Sequence, residues 1–290
     1  MGNLSNVCHF EGCCNTPART PQPELHTSEA SLDLPVQSFA SLHFQTGVQL
    51  KSLREAPCEV PDSARLETLQ SLVDRSKVLT LTVLTSTALA SGSTISLNAQ
   101  GWASRGDGHT FFGCGAAADY AFPLAERLQQ GQHFVISYDI EGEAYTVKDL
   151  AVGCGTFVKL ATAWPVKDNS LVNLGDSFAL FNLAPTGRLR LKLFGTTTTG
   201  DVYFFSPQEH RDAPVTLGRQ ATCDVQVTDS LASKIQCSLT YRGHWVLEDG
   251  NVLTGKPSTN GTWLYANEPV PLESGTLLKT SHSLFRAIIQ

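Results

Sequence analysis

From residue 79 onward the β-prone residues come in short runs with turn signals between them, and this layout points to a fold made of sheets. Such runs span 79–84, 94–97, 134–138, 145–148, 177–181, 188–194, 202–205, 237–241, 245–247, 262–265 and 284–289. They are rich in β-branched and aromatic residues, and 188–194 alternates charged with apolar side chains, as a half-buried strand does. No long helical pattern competes with them. Many short strands separated by turn signals indicate an all-β fold of the sandwich type. At 290 residues the chain is longer than a typical single domain, so two modules behind a tail are expected.

The segment 256–264 is a polar turn that runs into a strand: Ser258, Thr259, Asn260 and Gly261 precede Thr262, Trp263, Leu264 and Tyr265. Upstream, Gly218-Arg219 ends the strand-like 215–218, and Ser233-Lys234 offers a hydroxyl and an ammonium just before the strand at 237. Three loop ends therefore have the chemistry to converge on one anion. Taken singly these fragments are common. Their order, from Gly218-Arg219 through 224–227, Ser233-Lys234, 245–249 and 258–262, resembles the forkhead-associated (FHA) domain over roughly the last third of the chain.

That resemblance implies a β-sandwich over 186–290 whose loops at one end bind phosphopeptides. Arg219 and Ser233 would then contact the phosphate oxygens, Lys234 and Thr259 would add contacts, and Asn260 would hold the ligand's main chain. A preference for phosphothreonine is implied in the same way. One position departs from the pattern: Gln236 stands where the family usually has a histidine that braces the loops, although an amide also donates and accepts.

Residues 76–185 repeat this layout. Gly113-Cys114 parallels Gly218-Arg219, Asp119 follows Gly113 at the interval at which Asp224 follows Gly218, and Asp149 with 155–158 parallels Asp249 with 261–264. The expected architecture is thus two tandem FHA-type sandwiches, the first of them degenerate. Its phosphate positions are altered: Cys114 stands for arginine, Gln130 for serine and Cys154 for asparagine, while His133 keeps the bracing place. A thiol cannot offer a guanidinium's fork of donors, so this copy is expected to have lost phosphate binding and to keep a structural or docking role. The segment 113–118 formally fits a dinucleotide-binding G-x-G-x-x-A. It lacks the strand-to-helix context, and Pro123 would stop a helix in its first turn.

Residues 1–75 read as a tail. From 15 to 62 the segment is rich in Pro, Ser, Thr and Glu without hydrophobic periodicity, which argues for a disordered tether. Gly2 meets the first requirement for myristoylation, but Asn6 occupies the place of the usual Ser or Thr and Ser5 stands one residue early. A single acyl chain anchors weakly, so the expectation is acylation of Gly2 together with palmitoylation of at least one of Cys8, Cys13 and Cys14, holding the protein at the cytoplasmic face of a membrane. A zinc site built from Cys8, His9, Cys13 and Cys14 is disfavoured by its spacing. Thr16-Pro17 and Thr20-Pro21 are turn dipeptides and also candidate sites of proline-directed phosphorylation. A flexible linker of about 55 residues reaches ~40 Å, enough for the tail to meet the C-terminal module of its own chain or of a second copy. Around 63–75, Leu66, Leu69, Leu72 and Val73 recur at helical spacing behind Asp62-Ser63, predicting a short helix packed on the first module.

A formal net charge of −6 excludes a general nucleic-acid surface. With no export signal, the eight cysteines read as free thiols. Neither a metal triad nor a nucleophile elbow is present, so no enzyme activity, cofactor or metal is expected. Two functions fit: a phosphothreonine-peptide-binding adaptor, or a structural assembly protein that uses both sandwiches for phosphate-independent contacts.

Overall fold

The computed structural model describes residues 63–102, 105–122, 131–152, 155–195, 200–211, 213–280 and 282–290. Among the described residues, helix α1 (Ser63–Leu72) precedes the strands, and its Leu69 is fully buried against the turn at Gly108. The upstream strands are β1 (Leu79–Thr85), β2 (Thr94–Leu97), β3 (His109–Cys114), β4 (Tyr120–Ala121), β5 (Gly131–Asp139), β6 (Ala144–Asp149) and β7 (Thr156–Lys159). Next come β8 (Trp164–Pro165), β9 (Ser170–Asn173), β10 (Ser177–Leu183), β11 (Leu189–Gly195), β12 (Val202–Phe205), β13 (Val215–Gly218) and β14 (Val225–Gln226). The chain closes with β15 (Cys237–Tyr241), β16 (Trp245–Asp249), β17 (Trp263–Tyr265), β18 (Val270–Pro271), β19 (Leu277–Thr280) and β20 (Ser283–Ile289).

These strands build a ten-stranded sheet, β12-β11-β10-β9-β17-β7-β19-β20-β1-β2, and two five-stranded sheets, β14-β13-β15-β16-β8 and β18-β6-β5-β3-β4. Period-2 burial along β1, β11 and β13 turns one face of each inward, into a continuous apolar core. Each small sheet packs on one end of the large one. At one end Phe122, beyond β4, meets Phe285 of β20 at 6.2 Å between ring centres, and the Tyr145 hydroxyl donates to the Lys77 carbonyl at 2.8 Å. At the other end the Trp245 indole of β16 donates to Gly187 O at 2.8 Å and faces Phe205 of β12 at 6.4 Å.

The large sheet reads alike from its two ends. β12-β11-β10-β9-β17 mirrors β2-β1-β20-β19-β7, and β17 and β7 meet antiparallel in the middle, with Leu264 opposite Val158. The two sequence repeats therefore exchange strands. β10 of the first repeat pairs with β11 of the second, from Ser177↔Gly195 to Leu183↔Leu189, while β20 closes on β1. β8 likewise pairs with β16, and β18 with β6.

The cause lies between β10 and β11. Gly187 N donates to Ala184 O and Ala184 N to Arg188 O, both at 2.9 Å, so these residues close a hairpin. So short a connection makes its flanking strands antiparallel neighbours. The boundary expected between residues 185 and 186 falls inside that hairpin.

Candidate functional site

The three loops singled out in the sequence lie after β13, before β15 and before β17. Gly218 lets the first two touch: a Cβ there would collide with Lys234 O and lie 2.8 Å from Ile235 Cα. The Arg219 amide donates to Ser233 O at 3.0 Å and the Gln220 amide to Lys234 O at 3.2 Å. The third loop joins through Thr259, whose amide donates to Ser233 Oγ at 2.8 Å, and through Asn260, whose Nδ2 donates to Leu231 O at 2.8 Å. Trp263 Nε1 donates to Asn260 O at 3.0 Å and holds the turn from the strand side. Arg219, Ser233, Lys234, Thr259 and Asn260 are thus carried on three loops cross-linked by hydrogen bonds.

Arg219, Lys234, Thr259 and Asn260 are exposed and Ser233 is half-buried. Among the described residues neither Arg219 nor Lys234 forms an ion pair. The nearby carboxylates are occupied elsewhere: Asp224 accepts from the Thr216 amide and hydroxyl at 2.7 and 2.9 Å, and Asp229 accepts from the amides of Asp176 and Leu231 at 2.7 and 2.8 Å. Ser233 Oγ accepts from Thr259 and keeps its own proton to donate. Two uncommitted cations and a free hydroxyl proton are the groups that an oxyanion such as a phosphate recruits.

Beneath the loops lies a buried polar brace. Gln236, 1% exposed, accepts the Ser233 amide on Oε1 at 2.8 Å and donates from Nε2 to Gly261 O at 3.0 Å and Ser258 Oγ at 3.1 Å. Asp249 accepts the Ser258 amide at 3.1 Å, the Ser258 hydroxyl at 2.6 Å and the Thr262 hydroxyl at 2.7 Å. One amide side chain thus ties the second loop to the third and occupies the place where a histidine was expected. The sequence alone does not assign Ser258, Thr262 and Asp249 to this brace. A serine two residues before Asn-Gly and an aspartate ending the preceding strand were the available signals.

The upstream stretch is built differently. Cys114 is buried at 1% exposure, its thiol directed to Phe122 O at 3.9 Å, so no cation stands at that strand end. His133 is also buried. Where Asp249 serves the brace, Asp149 accepts the Tyr265 hydroxyl at 2.6 Å and the Ala151 amide at 2.8 Å. Burial is the main cause that pushes the Asp149 carboxyl up to about 6, against the pull of those two bonds and of Thr156. Burial, and after it the Asp149 carboxylate, holds the phenol of Tyr265 well above its ordinary range. Gln130 and Cys154, and in the tail Gly2, Cys8, Cys13, Cys14, Thr16 and Thr20, lie outside the described residues.

The second repeat also depends on strands of the first. β17, which follows the Asn260 turn, lies between β9 and β7, and the turn after β9 presses Gly175 against Leu231 and Asp229. No curated protein and no solved structure matches the chain. Residues 215–280, which carry all three loops, match the family model of the FHA domain, generally a phosphopeptide-binding module, and form one such domain.

Proposed function

We propose that the protein is a phosphothreonine-peptide-binding adaptor whose ligand site is made by Arg219, Ser233, Lys234, Thr259 and Asn260. The observation that carries this reading is the pair of exposed cations, Arg219 and Lys234, without an ion pair among the described residues and carried with Ser233 on loops that hydrogen-bond to one another. A phosphate brings three acceptor oxygens and a charge of about −1.5 to −2, which suits two cations and a hydroxyl. Asn260 has the rest of its amide left to grip a ligand main chain. The upstream stretch, with a buried cysteine at the place of the arginine, is a degenerate FHA-like copy with a structural role.

Tethering completes the proposal. Acylation of Gly2 with palmitoylation at Cys8, Cys13 or Cys14 would hold the protein at the cytoplasmic face of a membrane, and phosphorylated Thr16 or Thr20 would serve as a ligand in the same chain. Mass spectrometry of the native protein reads the acylation directly, and a free N-terminus with unmodified cysteines would refute it.

The binding test titrates the full chain with a phosphothreonine peptide library, its phosphoserine and unphosphorylated counterparts, and tail peptides phosphorylated at Thr16 or Thr20. Each bond to a charged group is worth about 1.5–3 kcal/mol, so Arg219→Ala is expected to weaken binding at least tenfold. Binding that ignores the phosphate would instead favour an assembly protein whose sandwiches make phosphate-independent contacts.

A further inference from the structure

Lys159 belongs to β7, in the upstream stretch, yet its side chain ends at the candidate site. Strand pairing brings it there: Lys159 stands opposite Trp263 in the β7/β17 ladder, and Leu160 N donates to Thr262 O at 2.9 Å. Its neighbours Val158 and Leu264 point into the core, so by alternation Lys159 shares the outer face of the large sheet with Trp263. From there its aliphatic stem crosses Gly261. A Cβ on Gly261 would land on Lys159 Cε, with Cδ and Nζ each at 3.0 Å. Gly261 has φ +79°, so its backbone favours glycine beside Asn260, and a Cβ there would also have to displace the end of the Lys159 side chain.

The lysine is half-buried, and among the described residues its ammonium makes neither a hydrogen bond nor an ion pair. Lys279 offers a contrast: it lies 4.7 Å from the Trp263 ring centre but donates to Asn173 Oδ1 at 2.6 Å. The mirror-related position is informative as well. There Tyr265 covers Gly155, with Cε2 at 3.1 Å from the place of a Cβ, and its hydroxyl is committed to Asp149. Covering the glycine is therefore common to both halves. An uncommitted cation does so only at the end that carries Arg219 and Lys234.

We propose that Lys159 is a further ligand-binding residue, supplied by the first repeat, and that it selects phosphopeptides carrying an acidic side chain close to the residue whose main chain Asn260 grips. The proposal rests on the reading of the site given above. A cation with a packed stem and a free head is positioned for a carboxylate at little entropic cost.

The test uses the full chain and an alanine-based phosphothreonine peptide, with a series that places one Glu at each position from four before the phosphothreonine to four after. Wild type is expected to favour one or two of the Glu positions by about two- to five-fold at low salt, the range of a partly exposed ion pair. Lys159→Gln should lose that preference while binding the parent peptide within about twofold, and Lys159→Arg should retain it. Arg219→Ala should lose all of the peptides alike. Phosphate-dependent binding with the same Glu preference in wild type and Lys159→Gln, or with no preference in wild type, overturns this proposal alone. Absence of phosphate-dependent binding in wild type overturns the site reading and this proposal with it.

Discussion

Gln236→Leu removes the polar brace while nearly conserving its volume. The leucine leaves the Ser233 amide and Gly261 O without the partners they now have at 2.8 and 3.0 Å, whereas Ser258 keeps its bond to Asp249 at 2.6 Å. A buried group that loses its hydrogen bond costs about 1–3 kcal/mol, and the Ser233 amide, at a half-buried residue, belongs near the low end. The pair together gives about 2–4 kcal/mol of destabilisation. Urea unfolding should show a lower midpoint with an unchanged slope, because the surface exposed on unfolding is the same. Phosphopeptide affinity should fall too, since the variant leaves the Ser233 loop tied to the Gly261 loop only through the Thr259 and Asn260 bonds. Gln236→His, which places a donor and an acceptor ring in the same space, should lose less on both counts. A stability change below about 0.5 kcal/mol for Gln236→Leu would show that the brace adds nothing net, and the reasoning would fail.

Asp149→Asn tests the buried carboxyl at the junction of the repeats. Its native pKa of about 6 lies above the ordinary 3.8, so the folded state holds this proton more tightly than the unfolded chain does. The resulting stabilisation is complete below about pH 4 and is lost as pH rises through 6, a difference worth about 3 kcal/mol by pH 7. The variant should therefore show a flatter stability profile from pH 4 to 7 in parallel urea titrations, and identical profiles would refute the assignment. A fragment of residues 160–269 retains β8 to β17, including the strand partners of β11, β16 and β9, whereas 186–290 separates β11 from β10 and β17 from both of its neighbours. In limited proteolysis 160–269 should be the more resistant, and equal resistance would mean that β20 can replace β10 within 186–290.

Strands were legible in the sequence wherever a β-branched or aromatic run stood clear of turn residues, as at β2, β12 and β15, which have the ends expected. Others escaped. β7 and β9 are short and buried on most residues, and β8 and β18 hold two residues each, too few to show a period. The loops that carry the candidate site residues were named from the order of their fragments, which resembles the FHA domain, because Asn-Gly, Gly-Arg and Ser-Lys are each common when taken singly.

Pairing was not legible in that way. The repeat in the sequence shows which strands correspond, but corresponding strands present corresponding faces, so the pattern does not specify which closing hairpin pairs with which first strand. The close turn at 184–187 decided the matter by making β10 and β11 neighbours, and β20 was left to close on β1. The sequence by itself determined the β class, the loop chemistry and the cations at Arg219 and Lys234. Only the tertiary structure decided that Gln236 braces the loops and that Lys159, far away along the chain, lies over Gly261, because both depend on which strands share a ladder across a long separation.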